Sequence, residues 1–256
     1  MKIVTWNVNS IRTRLNHVLD WWDIYQPDVL CLQETKVVDD DFPYELFEER
    51  GLYIYCHGQK SYNGVALISK EPLENIQTGF GGVDLENQAR VISGDLNGVH
   101  VVNIYVPQGE NAESPKFDFK RNFYAALQAE LENTKDPKQP LVLLGDFNIA
   151  PQQRDVDDAE KRAGKCMFTE EEHGWLAMLE SWGLQDALRL VSDKEGIFSW
   201  WDYRQGAFQR NRGMRIDLIY VTAPLASKIQ AVEFFKEERM RRQPSDHIPV
   251  MLSLKK

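Results

Sequence analysis

The sequence predicts a mixed α/β fold in which two β-sheets pack face to face with helices on the outside. Three observations predict it: a βαβ pattern opens the chain, short strands joined by turn signals fill its middle, and amphipathic helices alternate with buried strand segments afterwards. The first run, Lys2-Ile3-Val4-Thr5-Trp6-Asn7-Val8, is short, β-branched and aromatic, and reads as a strand. Ser10 can cap a helix whose apolar residues Ile11, Leu15, Val18, Leu19 and Trp22 recur at helical spacing. Pro27 lies past its end, and residues 28–33 form a second strand, apolar through its middle as a strand covered on both faces should be. Further strands fall near residues 52–57, 64–69, 89–96 and 99–106. Asn97-Gly98 between the last pair is a hairpin signal. A helix near 119–131 carries Phe119, Phe123, Leu127 and Leu131, and residues 141–144 make another buried strand. A helix around 170–182 and strands at 198–201, 216–221 and 248–254 complete the pattern.

No repeat, low-complexity tract or Gly/Ser linker interrupts the 256 residues, so one domain over 1–256 is expected. A hydrophobic fraction of 43% supplies a full core and excludes disordered, collagen-like and disulfide-scaffold classes. No apolar run approaches the ~18 residues a spanning helix needs, so no membrane partner is expected. The N-terminus lacks the apolar stretch of a secretory signal, and three isolated cysteines outside any CxxC favour a reducing cytoplasm. With 30 basic against 39 acidic residues, net −9, the chain should not coat nucleic acid through its global field. A polyanion would bind only where basic residues gather on one face or a divalent cation offsets clustered carboxylates.

Polar residues collect at the strand ends. Asn7 ends the first strand, Glu34 follows the second, and Tyr105 closes another. Asp146 and Asn148 follow the strand at 141–144, Asp217 interrupts an apolar one, and Asp246-His247 precedes Ile248-Pro249-Val250. If those strands are neighbours, carboxylates crowd one rim and need a cation or shared protons. Each feature also has an ordinary explanation. Gly145-Asp146-Phe147-Asn148 reads equally as a turn, Glu34 as a solvated strand end, and Asp246-His247 as a pair that fixes a loop. Asp217 is harder to dismiss, because a carboxylate within an apolar strand must be paired or functional. Oxygen-rich ligands with one His and no cysteine cluster point to a hard cation, Mg²⁺ with Mn²⁺ able to substitute, and to phosphoester hydrolysis by water.

Trp6-Asn7-Val8-Asn9, Leu32-Gln33-Glu34-Thr35-Lys36, Tyr105-Val106-Pro107, Gly145-Asp146-Phe147-Asn148, Arg215-Ile216-Asp217 and Ser245-Asp246-His247-Ile248-Pro249 occur in one order along the chain. In these segments the sequence resembles the exonuclease III family, within the endonuclease/exonuclease/phosphatase superfamily related to deoxyribonuclease I. Gln33–Lys36, Pro107-Gln108-Gly109-Glu110 and Phe198-Ser199-Trp200-Trp201-Asp202-Tyr203-Arg204 resemble its DNA-repair branch, of the bacterial exodeoxyribonuclease III and abasic-site endonuclease type. The resemblance implies a four-layered α/β sandwich and a Mg²⁺-dependent DNA phosphodiesterase acting on duplex DNA at abasic sites and 3′ ends, as a monomer. It implies Glu34 as main metal ligand, with Asn7 and Asp246 in or beside the metal shell. Asp146 would orient or deprotonate water, supported by Asn148. His247 would contact the scissile phosphate while Asp217 holds it, and Tyr105 would offer its hydroxyl nearby.

The positions that match a pocket for a baseless sugar are Trp200, Met214 and Ile216, which selects by size. Trp200 and Ile216 serve equally well as core residues. Phosphate contacts are expected from Arg12, Gln108, Lys116, Arg210, Arg212 and Arg215; residues 204–215 hold four arginines and no Asp or Glu. Position 9 is Asn where other branches place Asp, which argues against a second metal, and Met214 replaces an aromatic of some relatives. The charged stretch 153–165 is expected to be an exposed loop. Two other readings stand beside the nuclease: a small-molecule phosphoester phosphatase on the same fold, and a non-catalytic DNA-binding scaffold.

Overall fold

The computed structural model describes residues 1–81, 85 and 87–255. Its strands are β1 (Lys2–Asn7), β2 (Val29–Gln33), β3 (Tyr53–His57), β4 (Val65–Ser69), β5 (Glu74–Thr78) and β6 (Val91–Leu96), followed by β7 (Val99–Tyr105), β8 (Leu141–Asp146), β9 (Leu184–Asp186), β10 (Asp217–Thr222), β11 (Ile229–Phe234) and β12 (Val250–Leu254). The helices are α1 (Ile11–Tyr25), α2 (Tyr44–Glu48), α3 (Pro115–Thr134), α4 (Ala159–Arg162), α5 (Glu170–Trp182) and α6 (Ala223–Ala226). Two six-stranded sheets result, in the orders β11-β12-β1-β2-β4-β3 and β5-β6-β7-β8-β10-β9. Each has one parallel pair at its centre, β1 with β2 and β7 with β8, and antiparallel neighbours elsewhere.

Alternation along the central strands creates the layers. Ile3, Cys31, Val65 and Leu67 of one sheet meet Val101, Val142, Leu144 and Ile219 of the other in a shared core. Val4, Trp6 and Leu30 turn the opposite way onto Val18, Trp21 and Trp22 of α1. On the far side Val102, Leu143 and Tyr220 pack under Phe123 and Leu127 of α3 and Leu176 and Leu179 of α5. The four layers expected are therefore present. A small polar network crosses the apolar middle. Gln33 donates to Asn103 Oδ1 at 2.7 Å and to Thr5 Oγ1 at 2.9 Å, while Asn103 donates to the carbonyls of Leu32 and Ala66.

Local signals explain most boundaries. Ser10 accepts from the Thr13 amide to start α1, and Thr169 with Glu172 forms a capping box at the start of α5. α3 starts earlier than its apolar spacing indicates, because Ser114 caps it and Pro115 takes the first turn, where a missing N–H costs nothing. Three departures matter. Residues 198–201 form single bridges, Trp200 with Met214 and with His247, and no named strand. Asp217 heads β10 and does not interrupt it. The charged stretch is only partly exposed: Asp155 is fully buried, and Asp158 caps the short α4. Among the described residues no helix is long and apolar enough to cross a membrane.

Candidate active site

Strand register builds the site. Tyr105 of β7 lies opposite Asp146 of β8, which lies opposite Asp217 of β10, so three of the expected site residues form one row across the ends of adjacent strands. The facing sheet brings the ends of β1 and β2, paired at Asn7 and Gln33, with Glu34 one residue on. Ser245, Asp246 and His247 arrive on the segment before β12. Ser245 Oγ anchors it by donating to the Asn7 carbonyl at 2.7 Å and accepting from the His247 amide at 3.2 Å.

At the ends of β1, β2 and β8 the chain turns through left-handed backbone. Asn9, Ser10, Glu34, Lys36 and Asn148 have φ of 44°, 92°, 53°, 57° and 49°. Asn tolerates this region; Glu and Lys do so at a cost of about 1–3 kcal/mol each, a strain that gathers at functional sites. Gly145 meets a different demand. Its φ is 144°, and a Cβ there would stand 1.9 Å from the Ile104 carbonyl oxygen.

Among the described residues, Glu34, Asp146 and His247 each bring a ligand atom to within 4.8 Å of the other two. Asn7, fully buried, donates to Glu34 Oε1 at 2.8 Å and to Asp146 Oδ2 at 2.9 Å, holding the two carboxylates together despite their repulsion. It turns its NH₂ to that cluster and its Oδ1 to the Asn9 amide, so it stands beside the carboxylates and orients them. Asp246 lies outside the cluster: its oxygens accept from Asn9 Nδ2 at 2.9 Å and Trp200 Nε1 at 3.0 Å. Lys36 Nζ pairs with Glu34 Oε2 at 2.8 Å. Asn148 supports Asp146 through its amide N–H, 3.0 Å from Oδ1, while its side chain donates to the Val106 carbonyl.

The electrostatics follow from burial and pairing. Burial raises Asp146 to about 7, with repulsion from Asp217 and Glu34 adding to it and His247 and Asn7 opposing. His247 Nδ1 lies 2.8 Å from Asp217 Oδ2, and its Nε2 lies 3.7 Å from Asp146 Oδ2. Burial works against the imidazolium, but Asp217 and Asp146 outweigh it and push His247 up to about 10. Burial also opposes ionisation of Asp246, yet His247, the Trp200 indole and Asn9 hold its carboxyl below its usual value. Burial and the Glu34 carboxylate keep the Tyr105 phenol protonated. The donor chemistry suits a hard cation: two carboxylates supply oxygen, and the imidazole, already cationic, is left to donate a hydrogen bond.

The remaining expected residues divide. Trp200, Met214 and Ile216 do meet, in a cluster with Ala150, Val156, Met167 and Phe168. Met214 and Ile216 are fully buried there, so only the half-exposed Trp200 presents a face. Arg210, Arg212 and Gln108 are exposed. Arg12 is exposed and paired with Asp41, and Lys116 with Glu110. Arg215 is a correction. It is buried between Asp155 and Asp186, at 2.7 Å from each and only 1% exposed, which leaves no room for a phosphate to reach it. Asp155 also accepts from Arg189.

Sequence reasoning missed three supports. Lys120 Nζ, fully buried, donates to Glu172 at 2.6 Å and to the carbonyls of Asn148 and Gln108, tying α3 to α5 and to the segments that follow β7 and β8. Its signal was a lysine among Phe117, Phe123 and Tyr124 on the buried face of α3. Arg90 stacks over the Tyr105 ring at 4.6 Å and donates to the Tyr105 carbonyl. Ser199 Oγ accepts from the amides of Ile216 and Asp217 and fixes the start of β10.

A four-layered sandwich with carboxylates, an amide and an imidazolium at the facing strand ends defines a phosphoesterase-type scaffold. Residues 4–247 match the Endonuclease/Exonuclease/phosphatase family, and the chain belongs to it. It is 40% identical to the exodeoxyribonuclease III of Haemophilus influenzae, covering all of both chains. Among solved structures, the 3′ phosphatase NExo from Neisseria, bound to a product DNA hairpin, matches with a TM-score of 0.96 at 39% identity over the whole of both chains. An AP endonuclease from Archaeoglobus fulgidus matches with a TM-score of 0.96 at 34% identity, again over both whole chains.

Proposed function

We propose that the protein is a Mg²⁺-dependent DNA-repair nuclease that hydrolyses the backbone of duplex DNA at abasic sites and removes nucleotides or blocking groups from 3′ ends. The observation that carries this reading is the meeting of Glu34, Asp146 and His247 at the mouth of two facing sheets. Full-length relatives named exodeoxyribonuclease III and AP endonuclease support it. Glu34 would hold the cation, which Mn²⁺ can also fill. The ion would neutralise charge on the phosphoryl group. Asp146 orients and deprotonates the attacking water, steadied by Asn7 and by the Asn148 amide. His247, kept cationic by Asp217, donates to the phosphate oxygen where negative charge develops, and Tyr105 offers its phenolic proton beside it. Trp200 gives the baseless sugar an apolar wall, with Met214 and Ile216 behind it. Arg12, Gln108 and Arg212 grip flanking phosphates, and the chain acts as a monomer in the cytoplasm.

Incubation with a duplex carrying one abasic site, with and without Mg²⁺, tests the reading. Metal-dependent incision is expected. Cleavage without metal, no cleavage in either case, or faster hydrolysis of an inositol phosphate counts against it. Glu34→Gln should raise the Mg²⁺ concentration for half-maximal activity about tenfold or more, and a normal metal titration would remove Glu34 as the ligand.

The pH profile should be bell-shaped. Asp146 works as the carboxylate, so activity falls as pH drops through its raised value of about 7. His247 works as the cation, so activity falls as pH rises through about 10. A cation beside Asp146 favours its charged form, so the acid limb should move to lower pH as Mg²⁺ is raised. An acid limb that ignores Mg²⁺ would separate Asp146 from the metal.

A further inference from the structure

A continuous series of polar contacts runs from the Glu34 carboxylate to the half-exposed Trp200 indole. Lys36 Nζ lies 2.8 Å from Glu34 Oε2 and donates to Asn9 Oδ1 at 2.6 Å. Asn9 Nδ2 donates to Asp246 Oδ1 at 2.9 Å, and Asp246 Oδ2 accepts from Trp200 Nε1 at 3.0 Å. We propose that Asn9 is a positioning residue that couples cation capture at Glu34 to the orientation of the Trp200 wall. The inference rests on the metal-dependent reading above and adds to it a communication between the metal end and the substrate-selecting end of one site.

The residue type at position 9 makes the link possible. An ammonium and a carboxylate must be bridged, so the bridging group needs an acceptor on one end and a donor on the other, which a carboxamide supplies. Aspartate there would attract Lys36 and repel Asp246. The backbone of Asn9 is clamped: its N–H donates to Asn7 Oδ1 at 3.0 Å, its carbonyl accepts from Arg14, and its φ is 44°. Only the side chain is left to respond. A cation at Glu34 competes with Lys36 for the same oxygens, because two positive charges cannot share them at hydrogen-bond distance without repulsion. Displacing the ammonium removes the partner of Asn9 Oδ1 and frees the amide to turn. Asp246 then loses or changes one of its two donors, and the indole held by its other oxygen shifts. Trp200 also packs with Met214 and Ile216. A change in its tilt therefore alters how the exposed ring face meets a sugar placed beside the metal. By linkage, a sugar seated on Trp200 must in turn strengthen cation binding.

Fluorine NMR of the full chain labelled with 5-fluorotryptophan tests this without DNA or turnover. Trp200 is assigned with Trp200→Phe, and isothermal titration calorimetry reports metal arrival independently. Mg²⁺ added to the unsubstituted protein should bind and shift the Trp200 resonance. In Asn9→Asp, a substitution compatible with left-handed backbone, Mg²⁺ should still bind and Trp200 should stay put. Lys36→Met, which deletes the ammonium and leaves Asn9 in place, should give the same result and decides the matter if Asn9→Asp folds poorly. As a second readout, Mg²⁺ should increase the preference for a tetrahydrofuran-containing duplex over an intact one by about tenfold in the unsubstituted protein, and by less than about twofold in Asn9→Asp. A Trp200 resonance that follows Mg²⁺ in both variants overturns the coupling. So does one that never moves while calorimetry shows Mg²⁺ binding, and in both cases the metal reading stands. Absence of Mg²⁺ binding by calorimetry overturns both.

Discussion

Asp146→Asn should lower turnover on abasic DNA by about 10²–10⁴-fold, the contribution a positioned general base makes. The substitution is nearly isosteric. The amide oxygen can still accept from the Asn148 N–H, and the strand pairing to Tyr105 and Asp217 is a backbone matter. What is lost is the basic oxygen beside Asn7 and His247. A protein that folds normally, melts within a few degrees of the parent and binds the duplex with unchanged affinity is expected, with the defect confined to the chemical step. Single-turnover quench-flow with saturating enzyme separates that step from binding and release. Unchanged single-turnover rates would take the base away from Asp146.

Arg215→Leu should produce the largest loss of stability, about 3–5 kcal/mol. The guanidinium is fully buried and answers two carboxylates, Asp155 and Asp186. Removing it strands Asp186 and leaves Asp155 with Arg189 alone. At roughly 2–4 °C per kcal/mol for a chain of this size, the melting temperature should drop by about 6–20 °C. Calorimetry of the variant checks this. A drop of a degree or two would mean that the pair has other partners. Because Arg215 precedes Ile216 and Asp217, a folded remnant should also lose activity, whereas Arg212→Leu, an exposed neighbour, should not destabilise the chain.

How much could be read in advance depends on which property marked each element. β1, α1 and β2 were legible because burial on both faces writes an apolar run and a helical period directly into the residues. The β6–β7 hairpin was legible because Asn97 and Gly98 adopt left-handed backbone that few other residues accept. The strands that went unseen, β5, β9 and β11, are all sheet edges. Glu74-Asn75-Ile76-Gln77-Thr78 is largely exposed and has no alternation to detect. At the site, acidic and amide residues at strand ends were visible, since a carboxylate after an apolar run is conspicuous. Their partners were not. Lys120 and Glu172 are 52 residues apart and Arg215 and Asp155 are 60 apart, and only the register of the fold brings them together. Arg215 looked like part of a basic rim for the same reason: composition counts a charge without saying whether it is already answered.

Gln33 and Asn103, the amide pair between the sheets, carry a consequence for how function is lost. Of the residues gathered at the site, Asn7 ends β1, Glu34 follows β2 and His247 precedes β12, all from the first sheet's side, while Tyr105, Asp146 and Asp217 lie on strands of the second. Neither sheet alone owns a reaction centre. Sliding the layers by even one pleat would break the amide handshake and pull the two halves out of reach of each other. Warming should therefore not yield a folded but inactive species of long standing: incision and the cooperative structure of the sandwich should disappear over the same few degrees.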